Sequence, residues 1–407
     1  MSSWFDRALQ RQVLGTLSSW SAGQLRVTLP DGEKLFFGTP NTGEGAEIVI
    51  HDARFFSRVA FASDIGIGES YMAGEWSSPD LTQLIRAFIE TRDTIDLDAQ
   101  NLMRGPARMY NWLRHSLRRN TRAGSEKNIH AHYDLGNDFY RLFLDETMAY
   151  SSGIFPHESS TLEQAQLHKY EVICNKLDLK RGERVLEIGS GWGGFAMYAA
   201  RNRGVSVTTI TISKEQFDYA TRAVAEAGLS DRVEVRYCDY RDVQGRFDKV
   251  VSIEMLEAVG QEYWDSYFSK IDAVLEPRGR ALVQVICVPD QRFAAYGPAS
   301  DWIRKYVFPG GRLPSLYELQ RSVRRVTQLE THGVEEIGLH YAPTLRHWRE
   351  RFWKNAERVR DTSDFSESFV RLWDFYLAAC EASFATRWNR NLHIVLERPA
   401  NMLFCSN

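Results

Sequence analysis

The stretch VLEIGSGWGGFA, residues 185–196, passes from an apolar strand pattern into a helical pattern. Between the two patterns lie four glycines, Gly189, Gly191, Gly193 and Gly194. Glycine lets a backbone turn sharply and approach a ligand without a Cβ atom in between. The motif therefore predicts a cofactor loop, but it does not identify the cofactor, because nicotinamide and flavin enzymes use similar loops.

Helical and strand patterns alternate on both sides of this loop. After a predicted helix over 162–177 come the strand RVLEIG, the helix FAMYAARN, the strand VSVTTITI, the helix SKEQFDYATRAVAEAG, the strands RVEVRYCD and FDKVVSIEM, the helix EYWDSYFSKIDAVL and the strand RALVQVICV. This order predicts an α/β fold with a mainly parallel sheet and ligand sites at the C-terminal ends of the strands. Beyond residue 316 the sequence predicts more helices and a last strand in NLHIVLERP.

The composition limits the class of protein. A hydrophobic content of 43% in 407 residues supports two or three globular domains rather than disorder. With 50 basic and 53 acidic residues, no global charge draws the chain to nucleic acid. The sequence shows no run of about 18 apolar residues and no signal-peptide pattern, so we expect a cytoplasmic protein. Its five cysteines form no CxxC pair, which predicts neither a zinc site nor a disulfide framework.

Residues 1–95 are predicted to form a small α+β domain. Apolar residues recur at helical spacing from Trp4 to Trp20, which predicts an amphipathic helix. That helix either docks on its own domain or touches a membrane surface. The stretch LRVTLPDGEKLFFG alternates apolar and polar residues about a Pro-Asp-Gly turn, as a β-hairpin does.

A basic linker is predicted over 96–127. Between Ala99 and Ser125 no acidic residue occurs, and apolar residues alternate with the arginines Arg104, Arg108, Arg114, Arg118, Arg119 and Arg122. A basic amphipathic segment suits anionic lipid headgroups, and a solvated linker would show the same composition.

The acid of the glycine motif narrows the choice of cofactor. Glu187 precedes the first glycine, whereas a dinucleotide enzyme more often shows an acid at the end of the next strand, where this chain has TITIS. The combination resembles class I S-adenosylmethionine-dependent methyltransferases, with a nicotinamide enzyme as the alternative. That resemblance implies a Rossmann-like α/β fold with a mainly parallel sheet, here preceded by the small N-terminal domain.

Ordered motifs along nearly the whole chain resemble the cyclopropane fatty acid synthase family. They are GIGESYMAGEW, HYDLGNDFYRLFLD, YSSGIF, EIGSGWGG, TITISKEQ, DYRD, SIEMLEAVG, KYVFPGGRLPS and HYAPTL. The resemblance implies that the methyl carbon of S-adenosyl-L-methionine is added across or beside a cis double bond of an unsaturated phospholipid. It also implies a methyltransferase domain over 128–407 with lid and acyl-tunnel elements at about 290–375, a homodimer, and a peripheral position on the inner face of the cell membrane. From the balanced charge, no nucleic-acid partner is expected.

The same resemblance assigns a set of residues to the cofactor. Tyr133, Tyr150 and Ser151 would close over its methionine end. Gly189 and Gly191 would lie beneath it. The positions expected around its ribose and adenine, together with the acid of the glycine motif, are Thr211, Ile212, Gln216, Asp239, Tyr240 and Glu187.

The chemistry of the family explains which groups the site needs. An isolated alkene is a poor nucleophile, so the sulfonium methyl must be held near one alkene carbon in a dry tunnel. Methyl transfer leaves a carbocation, which aromatic faces stabilise and from which a base removes a proton. In the family that base is a bicarbonate, bound by a Cys, a Glu, a His, a backbone group and a Tyr.

This chain keeps only part of the bicarbonate site that the resemblance implies. Glu257 in SIEMLEAVG and Tyr341 in HYAPTL remain, and Ile286 offers a backbone group. The Cys position is Ser152, and the His position is Gln284. The loss of two anion-binding side chains weakens the case for bicarbonate.

Two acids are candidates for an internal base. Glu146 stands where the family commonly has proline and is the first candidate, although a capping or salt-bridging role fits it equally well. Glu254, where the family often has a small residue, is the second. A displaced base favours a methylene branch, which a partner reductase would convert to a methyl branch. The alternatives are a ring-forming synthase, an amine methyltransferase and a catalytically silent lipid-binding protein.

Overall fold

A computed structural model describes residues 4–40, 45–92, 136–296, 301–308, 311–361 and 365–399. The strands are β1 (Gln24–Thr28), β2 (Lys34–Gly38), β3 (Ala46–Ile50), β4 (Trp76–Ser77), β5 (Arg184–Ile188), β6 (Ser206–Thr211), β7 (Val233–Tyr237), β8 (Phe247–Ile253), β9 (Leu275–Cys287), β10 (Glu330–Glu336) and β11 (Arg390–Glu397). The helices are α1 (Trp4–Thr16), α2 (Arg54–Met72), α3 (Leu81–Thr91), α4 (Asn137–Arg141), α5 (Leu162–Leu177), α6 (Gly194–Arg203), α7 (Lys214–Glu226), α8 (Trp264–Val274), α9 (Asp290–Tyr296), α10 (Trp302–Tyr306), α11 (Leu316–Val326), α12 (Tyr341–Lys354), α13 (Ala356–Asp361) and α14 (Glu367–Ala385).

Within the described residues, the chain forms two compact units, and both are discontinuous in sequence. The first unit is drawn from Met1–Leu117, Pro298–Pro309 and Trp348–Trp388. The second is drawn from Arg118–Gly297, Gly310–His347 and Asn389–Asn407. Continuous domains over 1–95 and 128–407 were expected from the sequence, whereas the structure groups two later segments with the N-terminal one. The roles of these domains in lipid contact and dimerisation stay predictions.

The first unit contains a small sheet with strand order β2–β1–β3–β4. Strands β1 and β2 pair antiparallel, which confirms the predicted hairpin. In α14 the buried Asp374 carboxylate accepts hydrogen bonds from the Tyr71 hydroxyl at 2.5 Å and from Arg349 Nε at 2.7 Å. These donors offset the cost of burying the Asp374 charge, and they tie α14 to α2 within this unit.

The second unit is built on a sheet with strand order β10–β11–β9–β8–β5–β6–β7. Neighbouring strands from β7 to β9 run parallel, whereas β11 pairs antiparallel with both β9 and β10. The predicted α/β fold with a mainly parallel sheet is confirmed, as are the helix over 162–177 and the last strand.

Apolar side chains cover both faces of this larger sheet and fix the position of the glycine loop. Leu186 and Ile188 of β5 lie in one apolar cluster with Phe268 of α8. Val185 lies in a second cluster, with Ile173 of α5. Because alternate residues of β5 anchor opposite faces, the loop after Ile188 leaves the sheet at a fixed point.

Some sequence-based expectations concern contact with a membrane or residues outside the described ranges. No helix in the described part of the chain is long and apolar enough to cross a bilayer. On α1, the Trp4 side chain is 78% exposed whereas Leu9 is buried. The basic segment between Ala99 and Ser125 and the expected cofactor residue Tyr133 lie outside the described residues.

Candidate active site

A cleft opens at the C-terminal ends of β5, β6 and β8, where ligands bind in open α/β sheets. Its walls come from the glycine loop, the ends of these strands, the turn after β7 and the segment before α5. The expected cofactor residues that line it are Tyr150, Ser151, Glu187, Gly189, Gly191, Thr211, Ile212, Gln216, Asp239 and Tyr240. The fold thus brings residues of four separate motifs to one cleft.

At Gly189 the glycine loop meets the cleft with backbone alone. Gly189 has a φ of +95°, and a Cβ atom added to it would lie 3.1 Å from Met255 Cγ. The Gly189 N–H donates to Ile210 O of β6 at 3.1 Å, which fixes the loop to the neighbouring strand. A larger residue at this position would be strained by its φ and would also crowd the cleft.

Two hydrogen-bonded pairs form the floor of the cleft. The buried Glu187 carboxylate accepts from the Thr209 hydroxyl at 2.6 Å, and burial raises the pKa of Glu187 to about 8. A cation placed beside such a carboxyl stabilises its charged form. Thr211 Oγ1 donates to Gln216 Oε1 at 2.9 Å, so the amide nitrogen of Gln216 is directed away from Thr211.

The turn after β7 closes the opposite end of the cleft. The Asp239 carboxylate pairs with Arg241, with Oδ2 and Nη2 2.6 Å apart. The Tyr240 hydroxyl is buried and has no hydrogen-bond partner among the described residues, and burial raises its pKa to about 12. A buried donor of this kind is available to a polar ligand in the cleft.

Contacts with neighbouring side chains hold Tyr150 and Ser151 in place. The Tyr150 ring packs against the rings of Tyr140 and Phe143, with centroids 5.3 and 6.1 Å apart. Lys169 Nζ donates to Ser151 Oγ at 2.6 Å. Lys169 is fully buried, and burial lowers its pKa to about 8. These contacts fix both residues at the edge of the cleft.

Beside the glycine loop, the Glu254 carboxylate is the centre of a hydrogen-bond cluster. Its Oε1 accepts from Ser152 N at 3.0 Å, from Gln284 Nε2 at 2.7 Å and from Asn391 Nδ2 at 2.6 Å. Its Oε2 accepts from the Tyr341 hydroxyl at 2.7 Å. Donors from four separate segments therefore surround one carboxylate, as donors surround a bound anion.

Glu254 adopts a backbone conformation that few side chains share. Its φ of +48° lies in the left-handed region, where a small residue is less strained. Its N–H donates to Gln284 O at 2.8 Å, which fixes the turn after β8. Strain of this kind persists only where the surrounding contacts compensate for it, and here the compensation comes from the four donors to the side chain.

Known proteins resemble this chain closely enough to define its family. The model of mycolic acid cyclopropane synthetase matches residues 120–394. The chain belongs to the cyclopropane fatty acid synthase family. A tuberculostearic acid methyltransferase of Mycobacterium tuberculosis is 40% identical over 329 residues, which cover 79% of this chain and 75% of that protein.

Two further members extend the comparison. A cyclopropane-fatty-acyl-phospholipid synthase of Escherichia coli is 35% identical over 372 residues, which cover 88% of this chain and 89% of that protein. The solved structure of the mycolic acid cyclopropane synthase CmaA1 complexed with SAH and CTAB is 28% identical, with a TM-score of 0.61 over 67% of this chain and 98% of that one. The family consists of S-adenosylmethionine-dependent methyltransferases of fatty-acyl lipids, so the predicted enzyme class is confirmed.

Three of the five positions at which the family resemblance implies a bicarbonate site donate to Glu254. Ser152 donates to its carboxylate through the backbone, Gln284 through its amide and Tyr341 through its hydroxyl. An anionic side chain of the protein itself therefore lies among the groups expected to bind an anion.

The other two acids differ sharply in their surroundings. Glu257 Oε1 accepts from Ile286 N at 2.5 Å, and burial, reinforced by the negative charge of Glu254, raises the pKa of Glu257 to about 8. Glu257 Oε2 is buried and has no hydrogen-bond partner in the described part of the chain. Glu146, the first candidate for an internal base, is exposed and does not line the cleft.

Two buried polar residues near Glu254 were not predicted from the sequence: Asn391, which donates to Glu254, and His393, whose Nε2 lies 2.9 Å from Gln284 Oε1. Asn391 and His393 are buried at alternate positions of β11, and the apolar residues Leu392 and Ile394 occupy the positions after each of them. The signal was present in NLHI, because two polar side chains on one face of a strand with a buried interior need partners inside the protein.

Proposed function

We propose that the enzyme transfers the methyl group of S-adenosylmethionine to a cis double bond of an unsaturated phospholipid acyl chain and leaves a methylene branch there. The observation that carries the proposal is the Glu254 carboxylate among groups that the family resemblance assigns to bicarbonate. A relative named for tuberculostearic acid, a methyl-branched fatty acid, supports a branched product. Conversion of the methylene to a methyl branch requires a separate reductase.

The cleft residues fit S-adenosylmethionine. Gly189 leaves room for a ligand against the backbone, Glu187 offers a carboxyl that a cationic ligand would ionise, and Tyr240 offers a buried hydroxyl. The SAH in a related structure supports the same ligand class. When bound, S-adenosylmethionine supplies an electrophilic methyl group on a sulfonium.

The bonds that form and break in the reaction define the role of Glu254 as the proton acceptor. With S-adenosylmethionine bound, a bond would form between its methyl carbon and one alkene carbon as the bond between that methyl and the sulfonium sulfur breaks, so that S-adenosylhomocysteine leaves and the other alkene carbon becomes cationic. A hydride shift moves the positive charge to the carbon that bears the new methyl group. Glu254 then takes a proton from that methyl group, and the electron pair left behind becomes an exocyclic double bond. Without the hydride shift, the same electron pair would close a cyclopropane ring.

The two oxygens of Glu254 are not equivalent. Oε1 accepts three N–H donors, whereas among the described residues Tyr341 is the only donor to Oε2. A lone pair of Oε2 is therefore open to a proton from the acyl chain. A proton beside a carbocation is so acidic that a weakly basic carboxylate suffices when it is well placed.

Mass spectrometry of lipids from cells that express the protein tests the product. A methylene branch and a cyclopropane ring add the same mass, but mild hydrogenation adds hydrogen to the methylene and leaves the ring intact. We expect a product that takes up hydrogen. A product that resists hydrogenation, formed by an enzyme that depends on bicarbonate, would show a ring-forming synthase instead.

A pair of substitutions tests the proton acceptor. Glu254→Gln keeps the size of the side chain and removes its basicity, so turnover should fall roughly a hundredfold or more while cofactor affinity is nearly unchanged. Glu146→Gln is the matched variant and should stay active, and added bicarbonate should affect neither enzyme. The opposite pattern, with Glu146→Gln inactive and Glu254→Gln active, would assign the proton transfer to Glu146.

A further inference from the structure

A chain of polar side chains runs outward from the Glu254 cluster within the second unit. Gln284 donates through Nε2 to Glu254, and its Oε1 lies 2.9 Å from His393 Nε2. On the other side of the ring, His393 Nδ1 lies 2.7 Å from Lys176 Nζ. Lys176 also pairs with the exposed carboxylate of Glu335. Gln284 and His393 are buried, so the chain links a surface ion pair to the interior.

The two ends of this chain fix the direction of every hydrogen bond in it. An ammonium group can only donate, so Lys176 donates and His393 Nδ1 accepts. The ring hydrogen must then lie on Nε2, which donates to Gln284 Oε1. At the other end, a carboxylate can only accept, so the amide NH2 of Gln284 faces Glu254. Two independent constraints give the same orientation of the Gln284 amide.

The fold supports the neutral ring and the spacing that this chain requires. Burial, and then the neighbouring charges of Lys176 and Lys169, hold the pKa of His393 well below its usual range. His393 and Gln284 are directly paired residues of β11 and β9, so the sheet sets the distance between their side chains. A hydrogen-bonded chain that begins at a cation also polarises each bond toward the carboxylate.

We propose that His393, held by Lys176, is a positioning residue that orients the Gln284 amide toward Glu254 and so leaves Oε2 of Glu254 to take the proton. The inference rests on the proposed function, in which Glu254 is the proton acceptor. Without His393, half a turn of the amide would bring Gln284 Oε1 against the carboxylate, where two acceptors repel each other. Glu254 would lose one anchor, and its Oε2 would lose its fixed position.

Substitution of His393 in the full-length enzyme tests the positioning role. His393→Phe keeps an aromatic ring and removes both hydrogen bonds, and we expect kcat to fall roughly ten- to hundredfold, because a displaced catalytic group has that effect. The KM for phospholipid and the affinity for S-adenosylmethionine should be unchanged. His393→Gln returns an amide NH2 near the position of Nε2 and should restore most of the lost kcat.

Two further variants separate positioning from packing. Val395→Ala removes buried apolar volume on the same face of β11 and should lower the melting temperature without a change in kcat. Lys176→Met removes the donor at the outer end, where the side chain is partly exposed. If the chain acts as a unit, the Lys176→Met, His393→Phe double variant loses no more activity than the worse single variant.

The outcomes distinguish this inference from the proposed function. Full activity of His393→Phe, or a loss that His393→Gln fails to restore, would overturn the positioning role. An active Glu254→Gln enzyme would refute the proton acceptor itself. An inactive Glu254→Gln enzyme beside a fully active His393→Phe enzyme would refute only the positioning role.

Discussion

Gly189 and Gly182 are two glycines with nearly the same backbone and different surroundings. Their φ angles are +95° and +89°, so a valine would be similarly strained at either position. At Gly189 an added Cβ lies 3.1 Å from Met255, whereas at Gly182 nothing lies within 4 Å. We therefore expect Gly189→Val to abolish S-adenosylmethionine binding, and Gly182→Val to lose stability but keep affinity. Titration calorimetry on both variants checks this, and retained affinity in Gly189→Val would refute the assignment of the loop.

Glu187 should make the stability of the protein depend on pH. Burial raises its pKa from 4.5 to about 8, so between these values the folded state holds a proton that the unfolded state has released. The free energy of unfolding therefore falls as the pH rises through this window. Glu187→Gln removes the effect and keeps an acceptor for Thr209.

Thermal unfolding of the wild type and of Glu187→Gln, measured from about pH 5 to about pH 9, checks this dependence. From the low to the high end of this pH range, the melting temperature of the variant minus that of the wild type should increase by about 2 °C or more. Glu158→Gln, which removes an exposed carboxylate, is the control and should follow the wild type. Parallel curves for Glu187→Gln and the wild type would show that Glu187 is ionised in the folded protein.

Single residues also mark the limit of prediction from the sequence. Both Glu146 and Glu254 stand out as acids at unusual positions, and local sequence does not rank them. What distinguishes Glu254 is its contact with Ser152, Gln284 and Asn391, which lie in three distant segments. Only the folded sheet brings these segments together, so the proposal of Glu254 over Glu146 depends on contacts that local sequence does not show.

At the scale of elements, the hydrophobic periodicity of the sequence predicted helices and strands best where these elements are strongly buried. Helix α5 occupies the predicted residues 162–177, because a Thr161–Gln164 capping box marks its start and Asp178, in the left-handed conformation, marks its end. Strand β10 was not predicted, because its residues are largely polar and exposed and it pairs with β11 over a long separation in sequence. Apolar patterning carries no signal for such an edge strand.

At the scale of the whole molecule, the grouping of α14 with the N-terminal unit was beyond prediction from the sequence. Its apolar residues predict a buried helix but not the partner against which it packs. Tyr71 and Asp374 are separated by 303 residues, and their hydrogen bond is a property of the fold alone. Contiguous domain boundaries, by contrast, are the only kind that composition and linkers suggest.

The proposed action on phospholipids requires the molecule to reach a bilayer, and the arginine-rich segment between Ala99 and Ser125 is the predicted means. If its arginines meet lipid phosphates, binding to anionic vesicles should weaken as salt is raised, and charge reversal at Arg104, Arg108, Arg114 and Arg118 should cost about 1 kcal/mol of binding free energy per residue. Vesicle sedimentation across a range of salt concentrations measures this. Lysine at the same four positions keeps the charge and should keep the binding. If vesicle binding changes neither with salt concentration nor with charge reversal, membrane contact would instead be assigned to the helix that carries the exposed Trp4.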